Sequence, residues 1–209
     1  MKIYDWHIGV NPRRLRIFLA EKGIEVEYVE VGQKDRRLAP WYIEKYPHAL
    51  VPMLELDDGT CIGEVRAIAG YVEEIHPEPP LLGRNARERA IVAMWEQRAY
   101  EEGLHAAAEL FRNAHPAFID RGLPGSADPI PQIPALCERA RGRLGRFLRK
   151  FDAQLAENAF VAGPCWTLAD ATTLCAVDFA RRSDVTIPPE CRNLARWHEA
   201  VSARPSATA

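Results

Sequence analysis

The first 75 residues alternate short apolar runs with stretches whose apolar residues recur at helical spacing. Asn11-Pro12 opens one such stretch, since Asn is a favoured N-cap and Pro in the first turn has no amide to lose. Helical spacing also predicts a helix over residues 65–75 and a short helix or turn over residues 41–46. Strands are predicted over residues 2–6, 25–31, 51–56 and 61–63.

The resulting order, β-α-β-α-β-β-α, restricts how these elements pack. A crossover between parallel strands followed by a hairpin gives a mixed four-stranded sheet with helices on its faces. The Asp57-Asp58-Gly59-Thr60 turn supplies the hairpin, because Asp-Gly tolerates positive φ. The first part of the chain is therefore predicted to be a thioredoxin-like α/β domain.

Beyond this part the pattern is helical. Residues 76–83 hold three prolines and a glycine, which predicts an interdomain linker at residues 77–83. The predicted domains are residues 1–76 and an all-α domain of residues 84–209. Its helices are predicted near residues 85–113, 134–157, 168–182 and 192–203, with a long loop at residues 115–133.

Composition excludes several classes of protein. A hydrophobic content of 47% with a net charge of −2 excludes a mainly disordered chain and argues against nucleic-acid binding through bulk positive charge. No apolar run reaches the ~18 residues of a membrane span, and no secretory signal is visible. The five cysteines are odd in number and lack CxxC spacing. We therefore expect no disulfide framework, no metal and a cytoplasmic location.

The most specific motif lies at residues 160–170, where Thr167-x-x-Asp170 fits a capping box that fixes the start of a core helix. This stretch resembles the N-capping-box motif of the glutathione transferase family. Four further segments resemble the family's first helix, cis-proline strand, third helix and C-terminal end: residues 17–24, 51–56, 66–74 and 202–205. The resemblance covers about residues 1–206, and the Asn-Pro helix start is similar to bacterial members of the nu type.

This resemblance implies the glutathione transferase fold, with a glutathione-binding α/β domain before a helical substrate domain. It implies glutathione as the co-substrate, whose thiolate is stabilised by a helix N-terminus and attacks a small hydrophobic electrophile. It also implies a homodimer of two-fold symmetry. No nucleic-acid or membrane partner is expected.

Two other functions stay open. One is a glutathione-dependent disulfide or peroxide reductase of the nu type, favoured by Asn11 and by the lack of a cysteine near residue 9. The other is a non-catalytic module that binds proteins. Departures from the family's pattern at Gly9, Val65 and Leu50 favour this module, because each removes a contact to glutathione that the family usually makes.

The catalytic candidate implied by the resemblance is Asn11, which matches the nu-type Asn that contacts the sulfur. Its amide NH2 can donate to a thiolate, whereas the alternative role is only to cap the helix. Gly9 stands where relatives have Ser or Thr. Tyr4 and His7 are the reserve candidates, Tyr4 inside a strand and His7 in a loop.

The resemblance also implies the residues that bind glutathione. Val51, before a cis Pro52, pairs its backbone with the cysteinyl part. Glu64 faces the ammonium of the γ-glutamyl group, and the amide of Val65 at a helix N-terminus faces its carboxylate. His48 or Arg37 replaces the basic contact to the glycyl end that Leu50 lacks.

The acceptor pocket is expected between the domains, along the long helix after residue 85. By position its candidate residues are Trp95, Arg98, Tyr100, His105, Phe111, Arg112 and His115. Aromatic residues at helical spacing are more often core than pocket. Arg112 and His115, close to the long loop, are therefore the preferred pair.

Overall fold

The computed structural model describes residues 1–34, 37–126 and 128–209. Its four strands are β1 (Lys2–Asp5), β2 (Glu27–Glu30), β3 (Met53–Glu55) and β4 (Cys61–Gly63). They form one sheet in the order β2-β1-β3-β4, in which β1 and β2 are parallel and the other pairs are antiparallel. The predicted mixed sheet is confirmed.

Helices cover both faces of this sheet because successive strand residues point to opposite sides. Ile3 and Leu54 belong to the main core with α1 (Val10–Glu21) and α3 (Val65–Ile75). Their neighbours Tyr4 and Met53 form a smaller cluster with Tyr42 of α2 (Pro40–Lys45).

The second half is helical, with one irregularity that the pattern did not predict. The predicted helix near residues 85–113 is α4 (Ala86–Arg98), a π-helical segment (Ala99–Leu104) and α5 (His105–Ala114). A Cβ on Gly103 would lie 2.7 Å from the Phe147 ring, so glycine lets this ring pack closely against the π-helical segment. The remaining helices are α6 (Ala135–Glu157), α7 (Leu168–Ala180) and α8 (Arg192–Ser202).

A buried lysine ties the α/β part to the segment that follows it. The Lys22 side chain is fully buried, and its Nζ donates to the carbonyl oxygens of His76 and Pro79, both at 2.7 Å. It also lies 2.6 Å from the carboxylate of Glu73. Since the main core contains residues of both halves, the two parts pack as one unit. In the described part of the chain, no helix is long and apolar enough to cross a membrane.

The predicted capping box is present at the start of α7. Asp170 is fully buried, and its carboxylate accepts hydrogen bonds from the Thr167 amide at 3.0 Å and the Thr167 hydroxyl at 3.1 Å. It also accepts from the Val161 amide at 2.9 Å and from Nε1 of Trp197 at 3.0 Å. One carboxylate therefore joins α7 to α8 and to the loop before α7.

Candidate active site

Strand register brings the predicted glutathione-site segments to one edge of the sheet. Tyr4 of β1 lies opposite Met53 of β3, and Met53 lies opposite Gly63 of β4. The ends of β1 and β4 lie at the same edge of the sheet as the start of β3, because both strands are antiparallel to β3. The loops after β1 and β4 and the loop before β3 therefore meet at this edge. This places the start of α1 beside Val51–Pro52 and Glu64–Val65.

Asn11 lies in the first turn of α1 and does not cap it. The N-cap is Gly9, the helix begins at Val10, and no side chain caps this end. The interpretation of Asn11 as a capping residue is therefore wrong. Its Oδ1 accepts a hydrogen bond of 2.8 Å from Arg14. Since an arginine only donates, Arg14 must face the oxygen of the Asn11 amide. The NH2 group of Asn11 then points away from Arg14 and remains a donor at the helix N-terminus.

Arg14 is a site residue that the sequence did not reveal. Its guanidinium donates to Oε1 of Glu96 at 2.6 Å and to the Thr172 hydroxyl at 3.1 Å, and it lies 5.1 Å from the ring centroid of Tyr100. The Arg14 and Glu96 side chains are each only 4% exposed. This ion pair joins the two domains directly behind Asn11. Its partners are too distant in sequence for local pattern to identify.

Gly9 is closely packed. A Cβ at this position would lie 2.9 Å from Cγ and Cδ of Pro12 and 3.0 Å from the carbonyl oxygen of Trp6. A side chain at this position would therefore require Pro12 to shift. The donors left at this helix end are the amides of Val10 and Asn11, which have no partner in the preceding turn, and the Asn11 side chain.

The peptide bond between Val51 and Pro52 is cis, as the resemblance implies. Pro52 is buried, whereas Val51 is partly exposed at the sheet edge. The Tyr42 hydroxyl donates a 2.6 Å hydrogen bond to the carbonyl of Leu50, which fixes the chain just before this bond. Burial raises the pKa of Tyr42, so its hydroxyl stays protonated and keeps donating.

Glu64 has an unusual backbone conformation at the entry to α3. Its φ is 61°, in the left-handed region that favours glycine, which costs on the order of 1–3 kcal/mol. Its carboxylate is exposed, while the Val65 side chain is buried in the core. The first amides of α3 point out of the helix end and can receive a carboxylate.

Tyr46 is a second residue that the sequence did not select. A Cβ on Gly63 would lie 2.1 Å from the Tyr46 hydroxyl oxygen, so only glycine leaves room for this ring. Burial, followed by the charge of Glu64, raises the pKa of Tyr46. Its hydroxyl is therefore a protonated donor near Glu64.

His48 lies on the surface before the cis bond, with its ring 5.0 Å from that of Tyr46. The long loop of the helical domain reaches this segment. A Cβ on Gly125 would lie 3.2 Å from the carbonyl oxygen of His48 and 3.3 Å from Cδ2 of Leu50. The role of His48 at the glycyl end stays a prediction. Arg37 lies farther back, between β2 and α2.

Comparison with known proteins decides the family. The sequence model of the glutathione S-transferase N-terminal domain matches residues 3–80, and that of the C-terminal domain matches residues 114–205. Glutathione S-transferase 2 of Saccharomyces cerevisiae is 34% identical over 99% of this chain and 87% of its own length. The chain belongs to the glutathione S-transferase family.

Solved structures agree with this assignment to the glutathione S-transferase family. A glutathione S-transferase domain-containing protein of Marinobacter aquaeolei VT8 superimposes with a TM-score of 0.88 at 35% identity, covering 99% of both chains. Gtt2 of Saccharomyces cerevisiae gives a TM-score of 0.87 at 32% identity, covering 99% of this chain and 98% of its own. The two-domain architecture described above is therefore the fold of the family.

The reserve catalytic candidates of this glutathione S-transferase, Tyr4 and His7, form hydrogen bonds with other side chains. The buried Tyr4 donates its hydroxyl to Glu55 at 2.5 Å, and burial followed by this hydrogen bond raises the pKa of Tyr4. His7 is exposed at the end of β1. Its ring lies 3.2 Å from the carboxylate of Glu30, which also accepts from the His7 amide at 3.0 Å. The Tyr4 and His7 side chains are therefore both engaged by carboxylates, although His7 also lines the cavity beside the start of α1.

Arg112 and His115 are placed by the structure at the base of the long loop. Arg112 donates to the Arg121 carbonyl at 3.0 Å and covers the Phe118 ring at 4.8 Å. Burial, followed by the charge of Arg121, lowers the pKa of Arg112 to about 10. Nδ1 of His115 accepts from the Ala117 amide at 3.1 Å. These contacts hold the loop, and an acceptor-binding role for either residue stays a prediction.

The other candidate acceptor residues divide between core and interface. Trp95 is buried, and Arg98 covers its ring at 5.1 Å. The His105 ring at the start of α5 stacks on that of Tyr100 in the π-helical segment, with the ring centroids 6.3 Å apart. Phe111 contacts the Phe179 ring at 5.2 Å, which connects the base of the long loop to α7.

A cavity of about 160 Å³ opens between the start of α1 and the end of α7. Its apolar walls come from Ile8, Val10 and Phe179, and Arg13 and Arg182 also line it. Gly9, the N-cap of α1, is part of the same wall. The cavity therefore adjoins the helix end where Asn11 lies, and it lies between the two domains. None of the acceptor candidates predicted along the helix after residue 85, Arg112 and His115 included, lines it.

Proposed function

We propose that this protein transfers glutathione to a small hydrophobic electrophile. The observation that carries the proposal is the Asn11 amide, which Arg14 turns so that its NH2 group remains a donor at the start of α1. The cavity beside this helix end offers an apolar space for the second substrate. Membership of the glutathione S-transferase family supports glutathione as the first substrate.

The helix end would favour the thiolate form of glutathione. A helix N-terminus carries roughly half a positive charge, and α1 has no acidic residue in its first turn to offset it. A hydrogen bond to a charged group adds about 1.5–3 kcal/mol. The thiol loses its proton to solvent, the sulfur forms a bond to the electrophilic carbon, and the leaving group departs with the bonding electrons.

The γ-glutamyl group has two complementary partners at the entry to α3. The exposed Glu64 carboxylate attracts the ammonium, and the amides at the start of α3 receive the carboxylate. The hydroxyl that relatives supply after this acid is missing at Val65. Because that loss costs one charge-assisted hydrogen bond, we expect glutathione to bind with high-micromolar to millimolar affinity.

Replacing Asn11 with alanine tests whether its amide activates the glutathione thiol. We expect kcat/KM for a chloronitrobenzene acceptor to fall about ten- to hundredfold, and the pKa of bound glutathione to rise by about one unit. Asn11→Asp is the matched control, since it keeps the acceptor for Arg14 but faces the thiolate with a negative charge, and it should lose more activity. Full turnover by Asn11→Ala would remove Asn11 from the mechanism.

Glu64→Gln separates binding from chemistry. We expect calorimetry to show glutathione bound about tenfold more weakly, because the neutral amide no longer attracts the ammonium. Glu74→Gln, an exposed change near the other end of α3, should leave the affinity unchanged. Equal affinities for both variants would contradict the assignment of Glu64.

The other two functions are outcomes of the same assays. Faster reduction of hydroxyethyl disulfide than conjugation of chloronitrobenzene would favour the reductase, and no binding heat at millimolar glutathione would favour the non-catalytic module. The cavity wall holds Cys175, but burial raises the pKa of this thiol to about 11. Such a thiol is a poor nucleophile at neutral pH, so the reacting sulfur is assigned to glutathione.

A further inference from the structure

The charges around the α1–α7 cavity do not balance. Arg13 donates to Oδ2 of Asp178 at 2.7 Å and to the Ala207 carbonyl at 3.1 Å, so its charge is neutralised within the protein. The other oxygen of Asp178 lies 2.7 Å from Nε2 of His198. Both carboxylate oxygens of Asp178, which lines the cavity, therefore already have partners.

Arg182, the other arginine of this wall, differs from Arg13 in its ion pairs. Among residues 1–34, 37–126 and 128–209, no carboxylate lies within ion-pair distance of it. It lies in the 3-10 turn after α7, and its guanidinium covers the Phe179 ring at 5.4 Å. The Arg182 side chain is exposed, and the residue lines the cavity. The His7 ring on the opposite wall is held by Glu30.

We propose that the electrophile of this transferase carries an anionic group, such as a carboxylate, on an aromatic or apolar body, and that Arg182 binds that group. The apolar body would occupy the space between Ile8, Val10 and Phe179. Two features of the cavity favour an anion there. The Arg182 guanidinium has no ion-pair partner in the described part of the chain, and the first turn of α1 holds no acidic residue. The inference rests on the proposed function, because it names the substrate class of the same site.

A different role for Arg182 makes a different prediction. If its charge acted on the glutathione thiolate, its removal would slow every acceptor equally and raise the pKa of the bound thiol. If it binds the anion of the acceptor, its removal affects only acceptors that carry one. An acceptor pair that differs only in this charge therefore distinguishes the two roles.

The experiment compares a chlorodinitrobenzoate with its methyl ester, at saturating glutathione. In both, the sulfur bonds to the carbon that bears chlorine, and chloride leaves with the electron pair. We expect Arg182→Met to raise KM for the carboxylate about tenfold and to change KM for the ester less than about twofold. Methionine retains apolar contact with Phe179. Arg182→Lys should recover much of the carboxylate preference.

Arg181→Met is the matched control, since this neighbouring exposed arginine does not line the cavity, and we expect it to leave both KM values unchanged. Equal effects of Arg182→Met on both acceptors would overturn the inference, as would an unchanged KM for the carboxylate. Wild-type turnover of the ester tests the proposed function separately. Should neither acceptor react with the wild type, the proposed function fails, and the inference fails with it.

Discussion

Replacing Asp170 with alanine is expected to lower the free energy of unfolding by about 3–5 kcal/mol. The carboxylate is fully buried and accepts hydrogen bonds from four donors, which belong to Val161, Thr167 and Trp197. Alanine would leave these buried donors without a partner, and each unsatisfied group costs about 1–3 kcal/mol. Urea unfolding monitored by tryptophan fluorescence measures the change.

Asp170→Asn is the isosteric control for this prediction, and it adds a dependence on pH. Burial raises the pKa of Asp170 from 3.8 to about 6 despite its hydrogen bonds. The native state therefore holds this proton more tightly than the unfolded state, so the contribution of Asp170 to stability falls as pH rises from about 4 to about 6. The stability difference between wild type and Asp170→Asn should shrink over this interval. A pH-independent difference, or an unfolding midpoint of Asp170→Ala equal to that of wild type, would contradict the assignment.

The capping box shows what the sequence could predict. Thr167 and Asp170 lie three residues apart and act on backbone groups beside them, so local spacing was sufficient. The strands were predictable from their short apolar runs, since helices cover both faces of the sheet and successive residues of β1 and β3 are buried. The hairpin turn was also correct, and Gly59 adopts the positive φ that the Asp-Gly pair indicated.

The start of α1 shows why other features were not predictable. Asn11 and Pro12 indicated an N-cap by local preference, yet the helix begins at Val10, and the Asn11 side chain accepts from Arg14 and does not cap the helix. Arg14 in turn is held by Glu96, 82 residues away. In the π-helical segment, Gly103 packs against Phe147, which is also a tertiary contact. Local preference fails where a long-range partner decides the conformation.

At the candidate site, the sequence supplied the residues of the sheet edge but not those that support them. Asn11, Pro52 and Glu64 were identified from a motif, and strand register places their segments at one edge. Arg14, Tyr46 and Arg182 carry no motif of their own. Arg14 is buried, Tyr46 fits beside a glycine, and Arg182 has no carboxylate partner in the described part of the chain. Only the folded chain shows these features.

Breaking the ion pair between Arg14 and Glu96 is the second change with a large expected effect. Either Arg14→Met or Glu96→Leu leaves one charge buried without its partner, and the free energy of unfolding should fall by about 3–5 kcal/mol. The double variant removes both charges and fills the space with apolar atoms. It should therefore be more stable than either single variant, with a coupling energy of at least about 1 kcal/mol in urea unfolding.

The same variants distinguish the structural role of Arg14 from its action on Asn11. Arg14 fixes the orientation of the Asn11 amide, whereas Glu96 does not contact Asn11, so stability and thiol activation should separate in the double variant. We expect the double variant to regain stability while the pKa of bound glutathione stays raised by about one unit and kcat/KM stays low. If the double variant instead regained both properties, Arg14 would serve only to pair Glu96, and the donor at the start of α1 would not depend on it.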